Sequence, residues 1–498
     1  MKIPPLISVF PALAAGLLLT ASLAAAAESK APPVDVGSRL ELFVDDYLID
    51  AMNGVQLKLH EPHSEGTTFK FDQPWEGGTS GYVTMFKDGD RYRMYYRGSS
   101  DPSYTIKQTV SPDEPTVPAH AQYTCYAESK DGITWTRPNL GLHEFNGSKA
   151  NNIVWAEIGS HNFSPFKDEN PAARAEERYK AVASSNYDGD KKKPVLNGFV
   201  SADGVHWRQV QKEPVITDGA FDSLNVVFWD TLRGQYTAIY RDFIHGLRSI
   251  KYATSKDFLH WTTGVWADFG DAPGAHLYTN STLPYYRAPQ IYVAMPRRFM
   301  PWKTYFPEMD ARSPGSSDAV FMSSRDGVHW HRFEEAWIRP GLHERNWAHR
   351  ANTPSHGLLE TGPEEMSIYL ERDYTFPSNR IERLTLRPDG FVSAHAGYPG
   401  GELITKPIIF TGTSMVMNYS TAANGSIRIE VQDENGQPIP GFLLEESPVI
   451  FGDKIAGVVP WKHPQGMTDR SPFSRLAGKP VRFRIVMRDA DIYSVQFK

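Results

Sequence analysis

Short polar phrases in this 498-residue chain combine carboxylates, guanidiniums and carboxamides at recurring intervals. Glu76 lies in Trp-Glu-Gly-Gly, Asp222 and Asn225 in Phe-Asp-Ser-Leu-Asn, Asn280 in Tyr-Thr-Asn and Asn352 in Arg-Ala-Asn, and His161 and Asn162 are adjacent. Arg97, Arg241-Asp242, Arg297-Arg298 and Glu371-Arg372 each close a strand-like run, and Asp318 opens another. Paired carboxyl groups can protonate a leaving oxygen and attack or activate water, whereas amides and guanidiniums bond hydroxyls or anionic substituents. Such a mixture suits sugar recognition, provided that one architecture brings these phrases together.

The repeat that could do so is Ser129-Lys-Asp131-Gly132-Ile-Thr-Trp135, Ser201-Ala-Asp203-Gly204-Val-His-Trp207, Ser255-Lys-Asp257-Phe258-Leu-His-Trp261 and Ser324-Arg-Asp326-Gly327-Val-His-Trp330. A worn fifth copy is Arg387-Pro-Asp389-Gly390-Phe391. The tryptophans stand 72, 54 and 69 residues apart, the length of a four-stranded propeller blade with variable loops. Asp accepts backbone N–H bonds in a tight turn, Gly tolerates positive φ, and Trp brings a large face to bury between blades. The phrase therefore counts blades and performs no chemistry. Runs such as Tyr92–Tyr96, Tyr179–Ala183, Tyr236–Tyr240, Ile291–Met295 and Ser367–Leu370 supply strands.

Beyond Gly397-Tyr-Pro-Gly-Gly401 the pattern changes. Ile427, Ile429 and Val431 alternate with Arg428, Glu430 and Gln432, Asn435-Gly436 offers a hairpin turn, and Val481, Phe483 and Ile485 alternate with Arg482 and Arg484. The chain is thus all-β: a five-bladed β-propeller over 36–401 followed by a β-sandwich over 402–498. Thirty-nine Gly, 37 Pro and 12% aromatic residues suit many short strands.

Successive blade strands are antiparallel, so the start of the first strand, the end of the second and the start of the third open on one face, and the Asp-Gly turns fall on the other. The phrases above converge on that face as a funnel. Each also has a structural alternative. Glu76 could cap a turn, Asp222 could hold neighbouring amides, Arg241 and Asp242 could pair locally, and Asp318 and Glu371 could be rim charges. His161, standing alone, fits a structural or substrate-contacting group better than a metal ligand, and Asp46 in Val-Asp-Asp-Tyr either enters the funnel or ends a strand.

Blade count, repeated phrase, funnel carboxylates and C-terminal sandwich together resemble the five-bladed propeller glycosidases, notably glycoside hydrolase families 32 and 43. The resemblance implies hydrolysis by funnel carboxylates: a nucleophile or base, an acid, and a third that supports the transition state. Family 43 places acids at inner-strand starts, the position of Asp222 and Glu76, which form the leading pair, with Glu371, Asp318 or Asp242 as the third. Arg97, His161, Asn162, Asn225, Arg241, Asn280, Arg297, Arg298, Asn352 and Asp46 would hold substrate, and the arginines suggest a uronic or sulfated sugar. Of the family 32 motifs, the opening Trp-Met-Asn-Asp-Pro-Asn-Gly has no counterpart, and Arg-Asp-Pro survives only as Arg241-Asp242-Phe243. Alternatives are a noncatalytic carbohydrate-binding propeller, a sialidase-like enzyme using Arg97, Arg241 and Arg297, and a phosphorylase.

The remaining features bound the setting. Lys2, an apolar run from Leu6 to Leu23 and Ala24–Ala27 read as a signal peptide over 1–27, implying a periplasmic or secreted protein with no membrane attachment after cleavage. A net charge of −6 argues against nucleic acid as partner. The single Cys125 makes neither an intramolecular disulfide nor a thiolate metal site. No cofactor or metal follows from the sequence; the expected partner is an oligo- or polysaccharide.

Overall fold

The structure is a computed structural model that describes residues 32–106, 110–111, 113–186, 193–309, 314–461 and 472–498. The signal segment expected over 1–27 lies outside the described residues.

Four blades follow one another along the chain. The first contains Gly81–Asp88, Arg91–Gly98, Tyr123–Ser129 and Ile153–Trp155, and the second Ser164–Lys167, Tyr179–Asn186, Pro194–Ser201 and Arg208–Gln209. The third is Val226–Asp230, Gln235–Ile244, Leu247–Ser255 and Val265–Trp266. The fourth is split into two ladders, because its second and third strands break between Ala294 and Arg297 and between Ala319 and Met322. The fifth blade takes Thr353–Pro354 and Leu359–Gly362, Glu365–Arg372 and Arg380–Leu386 from this part of the chain and its outer strand, His63–Lys70, from the N-terminal side. Phe69 pairs in register with Ile381 and His63 with Thr385, so the ring closes with a strand from before the first blade.

The repeated phrase does what local chemistry dictates. Ser129 Oγ accepts from Gly132 N at 2.9 Å, and Asp131 Oδ1 accepts from Ile133 N and Thr134 N at 2.8 Å each. The other three copies make the same bonds. Where three copies have glycine the third has Phe258, which keeps the left-handed backbone at φ 71°. Its fully buried ring against Phe166 and Tyr236 offsets that strain. Each turn docks on a neighbour: Tyr95 of the first blade donates to the Gly204 carbonyl at 2.8 Å.

The worn fifth copy departs from the pattern. Asp389 is buried and accepts from Tyr285, Arg287 and Ser494 at 2.8, 2.9 and 2.7 Å. Instead of a fourth blade strand, Val392–Ala396 follows and joins a ten-stranded sheet with the C-terminal strands. That sheet includes Val34–Gly37, Glu41–Leu42, Ile49–Asn53 and Val55–Leu59, of which all but Val34 and Asp35 the sequence pattern alone grouped with the propeller. They belong there because Val36, Phe43, Leu48 and Val55 bury with Phe410, Phe483 and Phe497 in one core. Ile429 and Val431 pair with Ile485 and Phe483 and face that core, as their alternation with charged residues requires.

Candidate functional site

The ends of the second strands build the site. Arg97, Arg241, Arg297 and Glu371 stand at that position in the first, third, fourth and fifth blades. Side chains alternate along a strand, so the residue after each points away. Asp242 accordingly bonds Lys251 Nζ at 2.8 Å, and Arg298 bonds Asp318, its ladder partner, at 2.9 and 2.7 Å. Arg372 bonds Glu382 at 2.6 Å. Asp242, Asp318 and Arg298 are thus not joined to the funnel cluster, contrary to the expectation from strand ends alone.

Glu371 is 4% exposed, and its Oε1 is buried without a hydrogen-bond partner among the described residues. It fits because residue 81, opposite, is glycine: a Cβ there would lie 2.5 Å from Oε1. Burial pushes the Glu371 carboxyl up to about 8, and the charges of Arg97, Arg297 and Arg350 only partly offset this. At neutral pH it holds a proton.

Asp222 behaves oppositely. It lies in the loop before Val226–Asp230, after Phe221, whose buried ring packs on Tyr240 at 5.5 Å. Its side chain is 60% exposed; Oδ1 lies 3.0 Å from His161 Nε2 and Oδ2 3.4 Å from the Tyr278 hydroxyl. Burial raises its pKa, but the His161 hydrogen bond and the charges of His161, Arg241 and Arg350 more than reverse this and hold the carboxyl far below its usual range. Burial also lowers the His161 pKa. Nε2–H donates to Asp222, and Nδ1 lies 3.0 Å from Gln122 Oε1 and 3.3 Å from Arg97 Nη1.

Tyrosines line the space between. Tyr82 carries φ 51° where the first-blade ladder shifts register, and its ring meets His161 edge-on at 5.4 Å and Arg97 at 4.7 Å. Burial and Asp222 raise the Tyr278 pKa, but Arg350, Arg297 and Arg241 outweigh them and bring it below the ordinary phenol value. Tyr374 accepts from Arg97 Nη2 at 3.1 Å. Left-handed backbone recurs on this side at Ser281, Asn352, Asp373 and Thr375, strain of the kind that collects at functional sites.

Of the residues singled out from sequence, Asp222, Glu371, Arg97, His161, Arg241 and Arg297 share this cluster. Glu76 does not: it is fully buried, with its oxygens taken by Arg137 Nε and Nη2 at 2.8 and 2.9 Å, the Tyr96 hydroxyl and Gln73 N. The four asparagines bond backbone instead of lining the funnel. Asn162 and Asn225 both donate to the Phe221 and Ser223 carbonyls, Asn280 to Ile239 O, and Asn352 to Ser317 O and Asn346 O. They tie blade starts to their surroundings. Asp46 is exposed near the Asp-Gly turns, where its carbonyl accepts from Lys406 and neighbouring Asp45 pairs with Arg325. Sequence reasoning missed Tyr82, Tyr278, Tyr374, Arg248, His349 and Arg350. Tyr278 and Arg350 open the same Tyr-Thr-Asn and Arg-Ala-Asn phrases whose asparagines drew notice, so the signal was there.

Fold and site define a five-bladed propeller whose mouth holds one protonated and one ionised carboxyl group among arginines and tyrosines. No protein-family model matches the chain, and no curated protein matches it. Among solved structures, it is similar to a β-1,2-mannobiose phosphorylase from Listeria innocua, with 11% identity over 64% of this chain and 96% of that one, at a TM-score of 0.42. A glycosyl hydrolase from Bacteroides ovatus shows 13% identity over 72% and 96%, at 0.38. A fructofuranosidase from Schwanniomyces occidentalis shows 11% identity over 86% and 96%, at 0.38.

Proposed function

We propose that this chain is an exported glycoside hydrolase in which Glu371 is the general acid and Asp222 the base or nucleophile. One observation carries the reading: two carboxyl groups under the influence of the same Arg350 have their proton affinities driven apart, one to about 8 and the other far below the usual carboxyl range. Separated affinities are what acid and base roles at one pH require. Glu371 gives its proton to the glycosidic oxygen as the bond to the anomeric carbon breaks. Asp222 attacks that carbon directly or takes a proton from the water that does. His161 keeps Asp222 ionised and oriented. Export rests on the basic, apolar, alanine-ended N-terminal sequence.

A second reading is favoured by Tyr278. Its hydroxyl is 3.4 Å from Asp222, and the three arginines favour its phenolate, as a tyrosine nucleophile activated by a carboxylate would need. Product release from neutral, uronic and sulfated oligosaccharides decides, using wild type, Glu371→Gln, Asp222→Asn and Tyr278→Phe. Loss of turnover in both carboxyl variants with retention in Tyr278→Phe supports the main reading. Loss in Tyr278→Phe together with a trapped tyrosyl adduct supports the second. Glycan binding without turnover by wild type would make this a binding propeller.

A further inference from the structure

The funnel holds more positive charge than its carboxylates balance. Arg297, Arg241 and Arg248 place their guanidinium carbons 3.9, 5.0 and 5.2 Å from the Tyr278 ring centroid, and Arg97 and Arg350 flank Tyr82 and Tyr374. Among the described residues, these five face one ionised carboxylate, Asp222, and Glu371, which burial keeps protonated. Neutral groups hold the arginines in place. Arg97 donates to the Thr79 carbonyl and Tyr374, Arg241 to the Ala220 carbonyl, and Arg297 to the Arg350 carbonyl and Thr353. One residue further on, Arg298 has its carboxylate partner in Asp318.

Arg297 is the most informative of the set. It is 3% exposed, and Nη1 makes both of its bonds, at 3.0 and 2.8 Å. Nε and Nη2 are buried with no partner among the described residues. These two donors form one edge of the guanidinium, the edge that Arg298 uses to grip both oxygens of Asp318. Such an edge matches a carboxylate in shape and charge. Nε of Arg350, Nε of Arg248 and Nε2 of His349 are likewise buried without partners among the described residues. Buried donors are almost always satisfied in folded proteins, so several unsatisfied ones together mark a place that a ligand completes.

We propose that the funnel selects glycans bearing a carboxylate sugar, with the Nε–Nη2 edge of Arg297 taking the carboxylate and Arg350 and Arg248 contributing the surrounding charge. This rests on the glycosidase reading only in taking the ligand to be a glycan.

The test is calorimetric binding to the mature Glu371→Gln chain, so that no turnover is needed. Ligands are uronic-acid oligosaccharides, the same oligosaccharides after carboxyl reduction, sulfated galactose oligosaccharides and inorganic phosphate. Acidic forms should bind at least tenfold more tightly than their reduced counterparts, with a preference that shrinks at high salt and disappears in Arg297→Met. Should Arg297→Met melt early, Arg248→Met, on the partly exposed wall, must weaken the preference instead. Equal binding of acidic and reduced forms overturns the proposal, as does binding of only sulfated sugars, only phosphate or none of the acidic forms. Hydrolysis of neutral glycans by the wild type without acid preference would sink it and leave the glycosidase reading standing; acid-selective binding with no hydrolysis by the wild type would do the reverse.

Discussion

Glu371 occupies space that exists because residue 81 is glycine: a Cβ at 81 would stand 2.5 Å from Oε1 of the acid. The two come from the first and fifth blades, so the propeller's closure brings a candidate catalytic group against the strand that excludes a side chain for it. Gly81→Ala must therefore shift the Glu371 carboxyl. We expect kcat/KM to fall about 100-fold, the cost of roughly an ångström of misplacement, while the protein remains folded by circular dichroism. Unchanged kcat/KM would show that Glu371 need not sit where it does.

The proton on Glu371 sets the alkaline limb of the pH profile. With a pKa of about 8 the group is a competent acid below that pH, so kcat/KM should decline as pH rises through about 8. Stability follows the same sign. A carboxyl raised from 4.5 in the unfolded chain to about 8 in the folded one makes the native state bind the extra proton, so stability is lost as pH climbs across that window. Glu371→Gln keeps the shape without the titration. Its Tm should exceed that of wild type at pH 8 and match it near pH 4; parallel Tm curves for the two proteins would contradict the raised pKa.

His161 governs the acidic limb. Its hydrogen bond helps hold Asp222 ionised, so His161→Ala should raise the Asp222 pKa toward the ordinary carboxyl range and move the acidic limb of kcat/KM upward, with the loss falling below about pH 4 and little change at pH 5 and above. The alkaline limb, set by Glu371, should stay in place. A profile that drops uniformly at all pH values would assign His161 to substrate contact instead.

Glu76 should matter for folding and not for turnover. It is fully buried and held by both Nε and Nη2 of Arg137, and removing one partner of a buried pair costs about 3–5 kcal/mol. Glu76→Gln should lower the denaturant midpoint substantially while kcat per folded molecule stays within about threefold. A large loss of kcat in a fully stable variant would return Glu76 to the catalytic list.

How the molecule divides between local and distant information is visible in particular residues. The blades were legible because Ser129, Asp131 and Gly132 and their repeats satisfy one another within three residues. The sandwich alternation at Ile427–Val431 was legible because strand periodicity is a local property. Alternation also lay in the sequence for Arg241 over Asp242 and Arg297 over Arg298, although the phase that chooses between the two members depends on which face each blade turns inward.

Distant contacts decided the rest. Glu76 and Glu371 are both buried glutamates at blade ends. Arg137, 61 residues after Glu76, fills the oxygens of the first, and no described residue fills Oε1 of the second. Asn162, Asn225, Asn280 and Asn352 sit where a substrate ligand could, yet close packing presents them with backbone carbonyls that had to be satisfied. The closing strand His63–Lys70 pairs with residues more than 300 positions away. The sequence by itself determined the repeating turns, the all-β class and most of the ionisable groups at the mouth, because those depend on neighbours along the chain. Tertiary structure alone decided which carboxyl group is paired and which is left to carry a proton, because desolvation and charge come from side chains that only folding brings together.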